Sequence, residues 1–167
     1  MSKIEAGTFD FCPSLIDVNQ TMEEIEQSMR LRLKKETVTL TFTERLPECT
    51  LYTDKNRLIQ LISNFVINAI KFTQIGSIRM GYRLKDADTI CFYVSDTGCG
   101  IPKDELDNIF ARFVQLSDFE QGIGLGLAIC KGLVLKMGGN ISVMSEEGFG
   151  STFIFTLPMK RPNSWKN

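Results

Sequence analysis

Two strand-like runs, residues 77–84 and 89–95, are separated only by the polar turn Lys85-Asp86-Ala87-Asp88, and that short connection restricts the fold more than any other feature. Four residues can close an antiparallel hairpin, whereas a parallel pair needs a crossover of about a dozen residues or more. A second close pair, residues 140–144 and 152–157, flanks the turn region "SEEGFG". Residues 38–42 and 50–53 read as further strands. Helical spacing of Leu15, Ile16, Val18, Met22, Ile25, Met29 and Leu33 predicts a first helix over residues 13 to about 36, with Pro13 near its start. Asp54 is placed to cap a second helix over 55 to about 72, and a third over 125–136 is stopped by Gly138-Gly139-Asn140. The sum is an α+β fold: a two-layer α/β sandwich whose mixed, mostly antiparallel sheet carries three main helices on one face.

Composition matters chiefly for what it excludes. The chain contains no histidine, so imidazole bases, histidine metal ligands and serine–histidine triads are ruled out. A net charge of -1 supplies no bulk field for nucleic acid or anionic lipid, so neither a nucleic-acid partner nor direct membrane contact is expected. No segment approaches the ~18 apolar residues of a membrane span. Five cysteines, an odd number without Cys-x-x-Cys spacing, fit reduced thiols and a cytoplasmic setting.

Three stretches carry candidate chemistry. Along the second helix, at about 100° per residue, Arg57, Gln60, Asn64, Asn68 and Lys71 share one stripe, with Leu58, Ile62, Phe65, Ala69 and Phe72 turned away. A solvated face is the ordinary explanation, but asparagine is a mediocre helix former. Two asparagines at i and i+4 followed by a lysine offer neutral oxygen ligands of the kind Mg²⁺ accepts, and a cation suited to phosphate. The second stretch, "YVSDTGCGIP", puts Asp96 at a strand end ahead of Gly98 and Gly100, which is consistent with either a plain turn or a binding loop. The third, "QGIGLGLAIC", places Gly122, Gly124 and Gly126 at a helix start, where free N–H groups favour anions. It lacks the Gly-Lys-Ser/Thr of a P-loop and the strand-turn context of a dinucleotide fingerprint.

In chain order these are an Asn-x-x-x-Asn-Ala-x-Lys-Phe-Thr helix, Asp-Thr-Gly-Cys-Gly-Ile-Pro, "IFARF", Gly-Ile-Gly-Leu-Gly-Leu-Ala-Ile and "GSTF". The set resembles the catalytic and ATP-binding domain of two-component sensor histidine kinases, within the gyrase, chaperone, histidine kinase and mismatch-repair ATPase superfamily. The resemblance covers nearly the whole chain and implies a Bergerat-type ATP-binding fold over residues 9–160. Residues 1–8 would be the linker from a separate phosphoacceptor helix domain, and 161–167 a C-terminal tail.

That family resemblance also implies the roles. Asp96 would accept a hydrogen bond from the adenine amino group, with Gly98 and Gly100 letting the loop close and Ile101 and Phe72 as apolar walls. Asn68 would bind Mg²⁺ with Asn64 close by, and Asn64 and Lys71 would serve the transfer. Gly122, Gly124, Leu125 and Gly126 would hold phosphates, Thr152 would lie near adenine, and Phe110 and Phe113 would precede the lid, where Arg112 is a further candidate charge. ATP and Mg²⁺ are the implied cofactors. The implied partners are a histidine-bearing dimerisation and phosphoacceptor domain and, downstream, a response-regulator receiver domain. The setting would be cytoplasmic, or the cytoplasmic part of a membrane-anchored receptor. Two departures stand out: the lid, residues 114–121, is short and lacks basic or Ser/Thr-rich character, and Ile123 stands where the family usually has threonine. The rivals are a hydrolytic ATPase clamp, whose relatives carry a glutamate base where Asn64 stands, and a nucleotide-binding module without catalysis.

Overall fold

A computed structural model describes residues 11–107, 109–110 and 123–159, with 123–126 described through their backbone. The chain runs β1 (Ser14–Asp17), α1 (Val18–Arg32), β2 (Val38–Glu44), β3 (Thr50–Thr53), α2 (Lys55–Phe72), β4 (Gly76–Asp86), β5 (Thr89–Asp96), the single turn α3 (Lys103–Leu106), α4 (Ile123–Lys136), β6 (Asn140–Glu146) and β7 (Gly150–Pro158). Five strands form one sheet in the order β2-β4-β5-β7-β6. The β4–β5 and β6–β7 pairs are antiparallel hairpins, as their short connections require. Only β2 and β4 run parallel, and the chain between them is long enough to cross over through α2.

Period-two alternation makes the sheet one-sided. Ile90, Phe92, Val94 and Asp96 of β5, and Ser151, Phe153, Phe155 and Leu157 of β7, are buried beneath the helices. The alternate residues face the open side, where Ser95 and Thr152 share a hydroxyl hydrogen bond of 2.8 Å. A row of rings runs through the core: Tyr82 to Phe92 at 5.9 Å, Phe92 to Phe155 at 5.1 Å, and Phe155 to Phe65 of α2 at 5.8 Å. Each such burial contributes about 1.5 to 3 kcal/mol. Helix α2 is therefore the central packing element, with Leu58, Leu61, Ile62, Phe65, Val66 and Ala69 all buried.

The ends of α2 are fixed on both sides. Asp54 caps its start through Oδ1, accepting the Arg57 N–H at 3.1 Å. At its other end the Lys35 ammonium donates to the carbonyls of Ile70 at 2.7 Å and Thr73 at 2.9 Å. That clasp holds the last turn, which carries Asn68, Lys71 and Phe72, in one place.

The expected first helix needs correction at both ends. Residues 14–17 are a strand, pairing antiparallel with β3 in a separate two-stranded sheet. Asp17 rather than Pro13 sets the helix start, accepting the Gln20 N–H at 3.1 Å. Leu15 is exposed and Ile16 buried, an in-and-out pattern that suits the strand and breaks the helical stripe. Leu33, with extended backbone angles, ends the helix before residue 36. Residues 1–8 and 161–167 lie outside the described residues.

Candidate functional site

The buried face of the sheet carries one acidic group. Asp96, at the end of β5, is only 8% exposed, and its carboxylate accepts the Gly98 N–H at 2.8 Å. Burial pushes this carboxyl above the ordinary carboxylate range, and hydrogen bonds from the backbone N–H groups of Gly98 and Ser151 pull it partly back. It faces a narrow recess between sheet and helices. Asn68 and Phe72 of α2 form one wall, Gly100, Ile101 and Pro102 another, and Leu127 of α4 closes the side nearest that helix's start. Phe153, stacked on Phe65 at 5.4 Å, joins the lining to the core. Asn68, Ser151 and Glu105 of α3 are further polar groups in the lining. A mostly apolar slot with a buried carboxylate suits a flat heterocycle bearing an amino group.

The loop after Asp96 is tied on three sides. The Thr97 N–H donates to Ser77 O at 3.1 Å, the Cys99 N–H to Phe72 O at 3.2 Å, and the Gly148 N–H to Cys99 O at 2.7 Å. The Ile101 N–H donates to Ser145 Oγ at 2.8 Å, and that hydroxyl also meets Ser151 Oγ at 2.8 Å. Glycine is required by these close approaches. A Cβ at Gly98 would collide with the Phe72 carbonyl, and one at Gly100, where φ is +73°, with the Glu146 carbonyl. The two glycines thus let the loop press against α2 and the β6–β7 hairpin.

The structure brings Asn68, Phe72, Asp96, Gly100 and Ile101 together around the recess, while Gly98 stands behind its wall. Lys71 is exposed on the last turn of α2 and does not line the recess. Asn64, one turn before Asn68, donates from Nδ2 to Cys130 Sγ at 3.1 Å. The Thr152 side chain is turned to the open face of the sheet, because antiparallel pairing sets it opposite Ser95. Ser151, paired with Asp96, takes the position in the recess. Phe110 packs edge-on to Phe153 at 6.4 Å. Arg112, Phe113, the lid and Gly122 lie outside the described residues, and Gly124, Leu125 and Gly126 are described only as backbone in the first turns of α4.

Sequence reasoning did not single out Ser151, Pro102, Glu105, Ile109, Leu127 or Phe153. For Ser151 a signal existed: counting by twos from Phe155 through Phe153 reaches it rather than Thr152.

A divalent cation would find two neutral amide oxygens here, on Asn68 and Asn64. Among the described residues no cluster of three His, Cys, Asp or Glu could hold a metal by itself. Such a donor set fits magnesium that arrives on phosphate oxygens and keeps several waters. The first turn of α4 precedes Leu127, which lines the recess, and a helix start is a place that favours anions.

Comparisons with known proteins agree with this geometry. The family model for histidine kinase-, DNA gyrase B-, and HSP90-like ATPases matches residues 53–161. The aerobic respiration control sensor protein ArcB of Escherichia coli (strain K12) is 36% identical over 163 residues, covering 94% of this chain and 21% of that protein. The autoinducer 2 sensor kinase/phosphatase LuxQ of Vibrio harveyi is 38% identical over 169 residues, covering 95% and 20%. The chain thus spans about a fifth of the length of these relatives. Among solved structures, full-length ShkA in complex with AMPPNP superposes with a TM-score of 0.85 at 30% identity, covering 96% of this chain and 34% of that one. The catalytic domain of histidine kinase ThkA superposes with a TM-score of 0.77 at 26% identity, covering 90% of this chain and 99% of that one.

Proposed function

Because the chain belongs to the histidine kinase-, DNA gyrase B-, and HSP90-like ATPase family, we propose that it is the ATP-binding catalytic domain of a sensor histidine kinase. It would give the γ-phosphoryl group of ATP to a histidine on a separate dimerisation and phosphoacceptor domain of the same full-length protein. The observation that carries this reading is the buried Asp96 carboxylate aimed into an apolar slot whose far side is the start of α4. In it, Asp96 accepts from the adenine amino group, Phe72 and Ile101 sandwich the ring, and Ser151 holds the hairpin side of the slot. The triphosphate runs toward the first turn of α4, where the glycines permit close approach. Lys71, free to swing from the end of α2, meets the outer phosphates.

Magnesium would be held by Asn68 and Asn64 together with phosphate oxygens. When bound, it supplies charge neutralisation on the phosphates. The protein's own work is positioning: α2 and α4 fix the phosphates while the base is anchored. The side chain at position 64 is an amide, which cannot deprotonate water, and this sets the chain apart from hydrolytic clamps that keep a carboxylate there. We further propose residues 1–8 as the linker from the phosphoacceptor domain, a response-regulator receiver domain as downstream partner and a cytoplasmic setting. Among the described residues, no helix is long and apolar enough to cross a membrane.

Thermal melting with nucleotide tests the binding half of the proposal. Saturation at about 100 times Kd adds about 2.7 kcal/mol to the folded state, roughly 5 to 11 °C in a domain of this size. ATP and ADP with Mg²⁺ should both give such a shift and GTP a much smaller one. Equal shifts for ATP and GTP would refute the role of Asp96, and no shift with any nucleotide would refute the site.

A further inference from the structure

Asn64 is a costly residue to keep in the middle of a helix, and its partner explains how it is held. The side-chain nitrogen donates to Cys130 Sγ at 3.1 Å, across the contact between α2 and α4. Cys130 is 1% exposed and lies three residues beyond Leu127, which lines the base recess. In this contact the sulfur is the weak acceptor of the Nδ2 hydrogen bond.

An asparagine amide has a donor end and an acceptor end, and rotation by half a turn exchanges them. Against an apolar neighbour, an inward-turned NH₂ would be left without a partner. Against the Cys130 sulfur, the NH₂ is the end that is satisfied inward, and the carbonyl oxygen is then the end available on the other side. We infer that Cys130 is a positioning residue, holding the Asn64 amide with Nδ2 against its sulfur so that Oδ1 is offered on the side of Asn68 and the phosphates. The inference rests on the proposed Mg-nucleotide site and gives a residue just after the last glycine-rich motif, with no nucleotide contact of its own, the role of setting the polarity of a ligand in another motif. Outer partners of this kind commonly change metal affinity by about ten- to a hundredfold when removed.

The test uses the chain with Cys130→Val, which is apolar and only slightly larger and removes the acceptor, and with Cys130→Ser, which restores one. Two readouts are taken. The first, without metal or nucleotide, is the solvent-exchange protection of the Asn64 side-chain amide protons by NMR. The second is ADP affinity by calorimetry in Mg²⁺ and in EDTA, expressed as the ratio of the two. The wild type and Cys130→Ser should protect the amide and bind ADP more tightly with Mg²⁺. Cys130→Val should lose the protection and about tenfold of the Mg²⁺ enhancement, with affinity in EDTA unchanged within twofold. A merely structural role would weaken binding alike in Mg²⁺ and in EDTA, and that result would overturn the inference. So would a Val variant that keeps the protected amide, or one that loses it without changing the Mg²⁺ ratio. Absence of any Mg²⁺ enhancement in the wild type would instead refute the metal reading of Asn64, and amide protection alone would then decide whether Cys130 holds it.

Discussion

Replacing Asp96 by asparagine separates the function of this residue from its effect on folding. The substitution keeps the shape and one acceptor oxygen, which can still take the Gly98 N–H now bound at 2.8 Å. What disappears is the charge and the second acceptor oxygen. A hydrogen bond to a charged group contributes about 1.5 to 3 kcal/mol, so losing the one to the adenine amino group weakens ATP binding by about 10- to 150-fold. Stability should move differently. Burial raises the Asp96 pKa in the fold, so its stabilising contribution is fully present below the unfolded carboxylate's pKa of about 4 and is lost as pH rises through the raised folded value. At pH 7 the ionised group opposes folding, and the asparagine variant escapes that opposition while losing one N–H partner. The nucleotide-free variant should therefore melt within a few degrees of the wild type at pH 7, and its stability should fall less steeply between about pH 4 and 7. Calorimetric titration with ATP and melting curves across that pH range provide both measurements. A folded variant with undiminished ATP affinity would refute the assignment of Asp96 to base recognition. An unchanged pH slope would refute the claim that burying its charge opposes folding.

Lys71→Ala should weaken ATP by about two- to fivefold and leave adenosine unaffected, because Lys71 is exposed and, in the proposed role, meets only phosphate; equal losses for both ligands would contradict this. Gly100→Ala should cost about 1 to 3 kcal/mol, since φ is +73° and the new Cβ meets the Glu146 carbonyl; an unchanged urea midpoint would contradict the loop geometry.

Much of this architecture is legible in the chain. The short polar link at 85–88 dictates the β4–β5 hairpin, whose turn the structure narrows to residues 87 and 88, and the cap at Asp54 and the Gly138-Gly139 stop place two helix ends. The first helix was overextended because Leu15, Ile16 and Val18 satisfy either period over so short a run. Only pairing with β3, distant in sequence, decides for the strand. Three polar members of the site announce themselves by being unusual, the paired asparagines within a helix and an aspartate before two glycines, whereas Ser151 and Glu105 do not. Its apolar members did not, because Ile109, Leu127 and Phe153 have the same composition as core and become a lining only when α4 is laid beside β7. Thr152 shows the sensitivity of strands to register, where an error of one residue exchanges the recess for the open face. Cys130 gave no signal at all, since its partner lies 66 residues away on another helix.

Transfer of labelled phosphate tests the central claim most directly. The chain carries no histidine, so γ-labelled ATP with the chain alone should leave no phosphohistidine on it and release phosphate only slowly. Adding a cognate phosphoacceptor helix domain should place acid-labile label on that domain, and replacing its acceptor histidine should abolish the label. Rapid phosphate release by the chain alone, or tight ATP binding with an intact, docked acceptor that never becomes labelled, would contradict the account.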